Sequence, residues 1–155
     1  MITPEHFHVG IVVADMDEAK RSLSESLGIE WLPTRFSTCP VADDEGARIV
    51  PLKMSYSASP PFIELIEEVP GTVWVTNEHS NLHHIGFWSS DLAGDLPSLV
   101  SSGCPIEIVG FTKEQRSPAR YSYHTHPLGV RIEIVDTGSR QILQSALESH
   151  PKQGA

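Results

Sequence analysis

The 155-residue chain predicts an α+β fold in which one unit, strand–helix–strand–strand–strand, is used twice. Three observations carry this reading. The segment His8-Val9-Gly10-Ile11-Val12-Val13 returns as His84-Ile85-Gly86-Phe87-Trp88-Ser89. Each copy leads into an aspartate, then apolar residues at helical spacing that stop at a glycine. Each unit then closes on an apolar run with a glutamate at its centre, Ile63-Glu64-Leu65-Ile66 and Ile132-Glu133-Ile134-Val135. Two copies are too few for a solenoid, so a duplicated module is expected.

The elements follow in order. Phe7, Val9, Ile11 and Val13 alternate with His8, Gly10 and Val12, the period of a strand with one strongly apolar face. Asp15 is placed to cap a helix, with Glu18 three residues on as in a capping box. Ala19, Leu23 and Leu27 give the apolar stripe, and Gly28 stops it. Strands are expected over residues 29–39, 48–57 and 61–69, with turns at Asp43-Asp44-Glu45-Gly46 and over 57–61. The first module thus runs from about 5 to 70, and residues 70–81 link it to the second, about 82–137. In the second module Asp91 is the cap, Leu92, Leu96, Leu99 and Val100 form the stripe, and Gly103 ends it. Pro97 falls inside this helix, near enough to its first turn to be tolerated. Strands are expected over 106–112, 119–126 and 130–136, with Pro127-Leu128-Gly129 as a tight connection. Ile142, Leu143, Ala146 and Leu147 mark a terminal helix over about 139–149, and residues 151–155 are expected to fray.

The two copies align at an offset of 76: His8 on His84, Gly10 on Gly86, Asp15 on Asp91, Leu23 on Leu99. Glu64 pairs with Glu133, so the second copy is shorter by seven residues. Bulk properties set limits. An apolar fraction of 39% supports a packed core, and a formal net charge of −9 argues against a nucleic-acid partner. Cys39 and Cys104 lie 65 residues apart with no CxxC pairing and read as reduced thiols. The N-terminal residues lack a basic region and a long apolar run. A cytoplasmic protein with no membrane partner is therefore expected.

The repeat places chemistry as well as structure. A carboxylate amid apolar residues needs a partner, a metal or a raised pKa. One histidine from each first strand and one glutamate from each last strand can converge on the concave side of a sheet. His8, Glu64, His84 and Glu133 are therefore the candidate ligands of a divalent metal: Zn, Ni, Co, Mn or Fe. His83 adjoins His84, but alternation places it on the opposite face. Trp31, Phe36, Trp74, Tyr121 and Tyr123 are candidate pocket aromatics. His124 and His126, sharing one face, are candidate contacts to substrate. Arg35, Lys53 and Arg120 are candidates to meet a substrate anion.

On the segments at residues 8–13, 61–67, 82–88 and 129–136, the chain resembles the vicinal oxygen chelate superfamily. That superfamily includes glyoxalase I, methylmalonyl-CoA epimerase, extradiol dioxygenases and fosfomycin- and bleomycin-resistance proteins. The resemblance spans about residues 6–136. It implies paired βαβββ modules in a curled mixed sheet around a metal, with the ligand roles falling on His8, Glu64, His84 and Glu133. The ligand set looks most like bacterial-type glyoxalase I. Related epimerases often carry Gln at the position of Glu64, and extradiol dioxygenases use two His and one Glu. The Phe-Tyr pair common in the first helix of relatives is replaced here by Arg21-Ser22-Leu23-Ser24, which keeps the metal positions but selects no subfamily.

The expected function is a metal-dependent isomerase, epimerase or lyase. It moves a proton next to a carbonyl of a small oxygenated or thioester substrate, with the metal stabilising the enediolate. Glu133 and Glu64 are the candidate catalytic groups. Glu133 is favoured as base because Arg131, His124 and His126 could tune its half of the site. The alternatives are a non-catalytic small-molecule-binding protein of the resistance type and an Fe(II) extradiol-type dioxygenase. A homodimer is expected, both from the resemblance and from strand edges that open modules would leave unpaired.

Overall fold

A computed structural model describes residues 5–112 and 119–151; the expected fraying of 152–155 lies outside the described residues. The first half runs β1 (Glu5–Val13), α1 (Met16–Leu27), β2 (Arg35–Asp43), β3 (Gly46–Tyr56) and β4 (Phe62–Glu67). The second half runs β5 (Leu82–Ser89), α2 (Leu92–Ser101), β6 (Ile106–Phe111), β7 (Ala119–Thr125) and β8 (Arg131–Asp136). A single 3-10 turn, Thr137–Ser139, leads into α3 (Arg140–Ser149). The predicted α+β order is observed. The largest boundary difference lies at 29–34, where an extended segment makes only an isolated bridge, Trp31 to Ser57.

The helices begin and end where side-chain chemistry sets them. The Asp15 carboxylate accepts the Glu18 N–H at 2.8 Å, and Gly28 closes α1 in the left-handed region at φ 69°. Asp91 accepts the Gly94 N–H at 3.1 Å to start α2, which accommodates Pro97. Only Met16 of α1 is fully buried, packing on Val13 and Leu65 with Ala19 and Leu23 beside it. Leu27, expected in the stripe, stays exposed because it lies beyond the edge of that contact.

Strand order is β1-β4-β3-β2-β6-β7-β8-β5, closed into a barrel by the antiparallel β1–β5 ladder. The sheet is mixed: β1–β4 and β5–β8 are parallel, as a helical crossover requires. The edges of β2 and β6, expected to be open, pair with each other through Val41–Gly110 and Ala42–Val109. Unpaired strand edges therefore do not supply the argument for a dimer. Val12, Val41, Val50, Leu52, Ile66, Trp74 and Ile108 form the main core with Tyr123. Fully burying each large apolar side chain contributes about 1.5–3 kcal/mol.

Strand alternation fails at two matched points. In the β1–β5 ladder His6 faces Phe87 and His8 faces Gly86, leaving Phe7 as an extra residue; Gly10 faces His84 and Ile11 faces Leu82, leaving His83 as an extra residue. Both are β-bulges, which re-aim a side chain. Phe7 and His83 occupy equivalent positions of the repeat. Each is turned against the histidine that follows it, with ring centroids 4.3 Å apart for Phe7–His8 and 5.1 Å for His83–His84. The expectation that His83 lies on the opposite face is thus corrected, and the bulge is the reason.

Candidate metal centre

The four candidate ligands reach one point because of register. Across the β1–β5 seam His8 pairs with Gly86 and Gly10 with His84. On the outer sides of these strands Gly10 pairs with Glu64 and Gly86 with Glu133. Each glycine therefore lies between a histidine of one neighbouring strand and a glutamate of the other. A Cβ on Gly10 would lie 1.9 Å from Cε1 of His84, and one on Gly86 would lie 2.3 Å from Cε1 of His8. The repeated His-x-Gly thus supplies a ligand and, two residues on, the empty seat for the ligand of the other module.

The resulting cluster is compact. Nε2 of His8 and Nε2 of His84 are 2.8 Å apart. Oε2 of Glu133 lies 3.0 Å from Nε2 of His8 and 3.3 Å from Nε2 of His84; Oε2 of Glu64 lies 3.4 and 3.3 Å from the same atoms. Donor atoms bound about 2.0–2.2 Å from one divalent ion are separated from each other by roughly 3–3.5 Å. Both Oε2 atoms are buried and lack an aligned hydrogen bond despite these short separations. They aim at a common point rather than along the ring N–H directions. Two imidazoles and two carboxylates, 0–6% exposed, fit a divalent cation of the transition-metal class.

Electrostatics gives the same reading. Burial opposes a charge on His8, but Glu64 and Glu133 outweigh it and raise its pKa to about 9. His84 is raised by the same balance of burial against Glu133 and Glu64. Burial favours neutral carboxyl groups, yet His8 and His84 hold Glu64 well below the usual carboxylate range and lower Glu133 as well. The cluster neutralises itself with two protons. A dication satisfies the same two carboxylates once those protons leave.

Next to the cluster lies a chamber of about 530 Å³. Its walls are mainly aromatic and aliphatic, with Glu64 and Glu133 facing in. Tyr56 and Tyr123 stand opposite Glu64 and Glu133 in the β3–β4 and β7–β8 ladders. The Tyr123 hydroxyl accepts the indole N–H of Trp74 at 3.1 Å. Burial foremost keeps the phenols of Tyr56, Tyr121 and Tyr123 protonated. Among the described residues the buried Tyr121 hydroxyl has no hydrogen-bond partner. Helix α3 closes one side of the chamber through Ile142, Leu143 and Ala146, Leu143 packing on the Phe7–Trp88–Val135 cluster.

Tyr121, Tyr123, Trp74, Arg35 and Arg120 line the chamber, Phe36 lies 78% exposed at its edge, and Arg120 donates to Ser139 Oγ at 3.3 Å. Five expectations are corrected. Trp31 packs with the α1 cluster, outside the chamber, because the chain at 29–34 is not a barrel strand. His124 is fully buried on the opposite side of β7, held by Ser122 Oγ and the Cys104 carbonyl at 3.0 Å each. His126 sits past the end of β7, its Nδ1 accepting the Leu128 N–H at 3.1 Å. Lys53 pairs with Glu67 at 2.7 Å. Arg131 is likewise committed, to Glu107 at 2.6 and 2.8 Å, so neither it nor the two histidines tunes Glu133 as expected. The roles of Gly10, Gly86, Tyr56 and His83 were missed; the repeat offset marks the first two, and the bulges explain the last.

With this geometry in place, the comparisons are consistent. The chain belongs to the Glyoxalase/Bleomycin resistance protein/Dioxygenase superfamily, whose profile matches residues 7–123. Among solved structures it is similar to a methylmalonyl-CoA epimerase in complex with methylmalonyl-CoA and NH4+, at 18% identity and TM-score 0.59, over 90% of this chain and 97% of that one. The Mycobacterium tuberculosis methylmalonyl-CoA epimerase gives 23% identity and TM-score 0.55, over 87% and 88%. A Streptomyces coelicolor methylmalonyl-CoA epimerase variant in complex with 2-nitronate-propionyl-CoA gives 18% and 0.57, over 88% and 98%. At these identities the likeness is one of fold. No curated protein sequence matches the chain. Among the described residues no helix is long and apolar enough to cross a membrane.

Proposed function

We propose that the protein is a divalent-metal-dependent isomerase or epimerase that moves a proton at a carbon next to a carbonyl. The observation that carries this reading is the convergence of His8, Glu64, His84 and Glu133, buried beside an aromatic-walled chamber. A resistance-type binding protein needs the chamber but not four converging ligands. A divalent cation, when bound, supplies Lewis-acid stabilisation of the negative charge that develops on substrate oxygens.

The residues divide the remaining work. His8 and His84 hold fixed positions over Gly86 and Gly10. Glu64 stands opposite Tyr56 in the β3–β4 ladder. Tyr123, which faces Glu133, is engaged with Trp74. We assign Glu133, which faces the chamber, the role of general base. Tyr121 lines the chamber, and its aromatic walls exclude water. The substrate is a small oxygenated or thioester compound, and the neighbours' ligand makes methylmalonyl-CoA the first to try. A cytoplasmic homodimer completes the proposal. Exposed Phe36 and Ile49 on the β2–β3 hairpin are the surface for association, and a monomer by light scattering at micromolar concentration removes it.

The test is reconstitution of chelator-treated protein with Zn, Ni, Co, Mn or Fe(II), followed by incubation with methylmalonyl-CoA or the methylglyoxal–glutathione hemithioacetal in D₂O. The proposal expects metal-dependent turnover of one of them, or deuterium at its α-carbon. Oxygen uptake with a catechol and Fe(II), without exchange at either probe, contradicts it in favour of a dioxygenase.

A further inference from the structure

The bulge at His83 builds a relay that ends on a candidate ligand. Nε2 of His83 lies 2.8 Å from the Val73 carbonyl, and Nδ1 of His83 lies 2.8 Å from Nδ1 of His84. A carbonyl can only accept, so the proton on Nε2 of His83 is required. A neutral imidazole has one ring proton, which leaves Nδ1 of His83 an acceptor. His84 must then donate from its own Nδ1. Once His84 has given up its extra proton, as metal binding requires, its Nε2, the atom 3.3 Å from both glutamate oxygens, is left with a free lone pair. Both nitrogens of His83 are spent in this chain, so it is not itself a fifth ligand.

We propose that His83 is a positioning residue: anchored on Val73, it fixes the tautomer and the aim of His84 for the metal. The proposal rests on the metal reading of the four-residue cluster. Its sharpest support is the contrast between the modules. At the equivalent bulge the first module has Phe7, which presents only a ring to His8, and among the described residues the buried Nδ1 of His8 has no hydrogen-bond partner. The two histidines are therefore not equivalent ligands. His84 is oriented by a hydrogen-bonded relay, and His8 by packing alone. Residues 70–81 gain a purpose too. Val73 anchors His83, and the next residue, Trp74, holds Tyr123, whose ring lies 4.9 Å from that of His84.

The test uses zinc alone and no substrate. In ¹⁵N-histidine-labelled, zinc-loaded protein, NMR should show His83 protonated at Nε2 only. A ¹⁵N–¹⁵N coupling should run across the hydrogen bond from Nδ1 of His84 to Nδ1 of His83. Zinc affinity should fall by about 10–100-fold in His83→Phe, the usual effect of losing a ligand-orienting partner, and return to within a few-fold in His83→Gln, which keeps a donor and an acceptor. A proton on Nδ1 of His83, an absent coupling, a His83→Phe affinity equal to the wild type, or no rescue by His83→Gln each overturns the relay. If His83→Phe does not fold, the wild-type spectrum decides. A wild-type protein that binds no zinc overturns the metal reading as well, whereas zinc binding that ignores His83 overturns only the relay.

Discussion

The ring of His84 fills the place that a side chain on Gly10 would take, 1.9 Å from the ideal Cβ position. His8 stands in the same relation to Gly86 at 2.3 Å. A methyl group at either glycine cannot coexist with the ring. Gly10→Ala should displace His84, and Gly86→Ala should displace His8. Overpacking of this kind costs about 1–3 kcal/mol of stability. Metal affinity should fall by at least about 100-fold, more than the loss of an outer partner causes. Isothermal titration of zinc into each folded variant checks this, and unchanged affinity contradicts the seating.

The electrostatics of the cluster predict opposite pH dependences for metal-free stability and metal affinity. His8 is raised from 6.5 to about 9. Its contribution is fully present below pH 6.5 and is lost as pH rises through 9. Glu64 is depressed, so its contribution is present above 4.5 and lost as pH falls. Burial, together with the Arg131 charge, pushes His83 down to about 4, which costs stability as pH falls below 6.5. Metal-free protein should therefore be most stable near pH 6.5 and lose up to about 3 kcal/mol by pH 9. Affinity for metal should rise over that interval, because the histidines must release protons to bind. Urea unfolding of chelated protein at pH 6.5 and 9 checks the first part; the loss should be smaller in His8→Gln, where only His84 retains a raised pKa.

Glu133→Gln should leave a folded protein with some metal bound and cut turnover by about 10²–10⁴-fold, the usual worth of a positioned base. Glu64→Gln should cost less, since the base is assigned to Glu133. Steady-state rates with a verified substrate decide the order. A larger loss in Glu64→Gln at equal metal content reverses the two roles.

His124→Ala should destabilise without touching the site. It leaves the Cys104 carbonyl and the Ser122 hydroxyl unpaired in the interior, which costs about 1–3 kcal/mol. Denaturant midpoints should fall while zinc affinity stays within about twofold of the wild type. A joint loss of zinc would return His124 to the neighbourhood of the metal.

The contrast between His124 and His84 shows what periodicity can and cannot read. The offset of 76 paired His8 with His84, and the repeated apolar run around a central glutamate paired Glu64 with Glu133, because a duplicated module repeats its pattern. Alternation also placed Tyr121 and Tyr123 on one side of β7 and His124 on the other. It could not say which side faced the chamber, since both are buried, one by the barrel interior and one beneath the outer layer. Alternation failed at Phe7 and His83 because a bulge adds a residue without a local sequence mark. The closing β2–β6 seam rests on two residue pairs between distant segments, and no local pattern encodes it. Residues 70–81 read as a linker because the partners of Val73 and Trp74 lie in other strands.

The central claim is that His8, Glu64, His84 and Glu133 hold one divalent ion. Its most direct measurement is elemental analysis of protein purified without chelators and then equilibrated with zinc, for the wild type and for His8→Ala and His84→Ala. The account predicts one ion per chain in the wild type and loss of most of it in both folded variants. A wild type that takes up no metal, or variants that retain it at the wild-type level, contradicts the account.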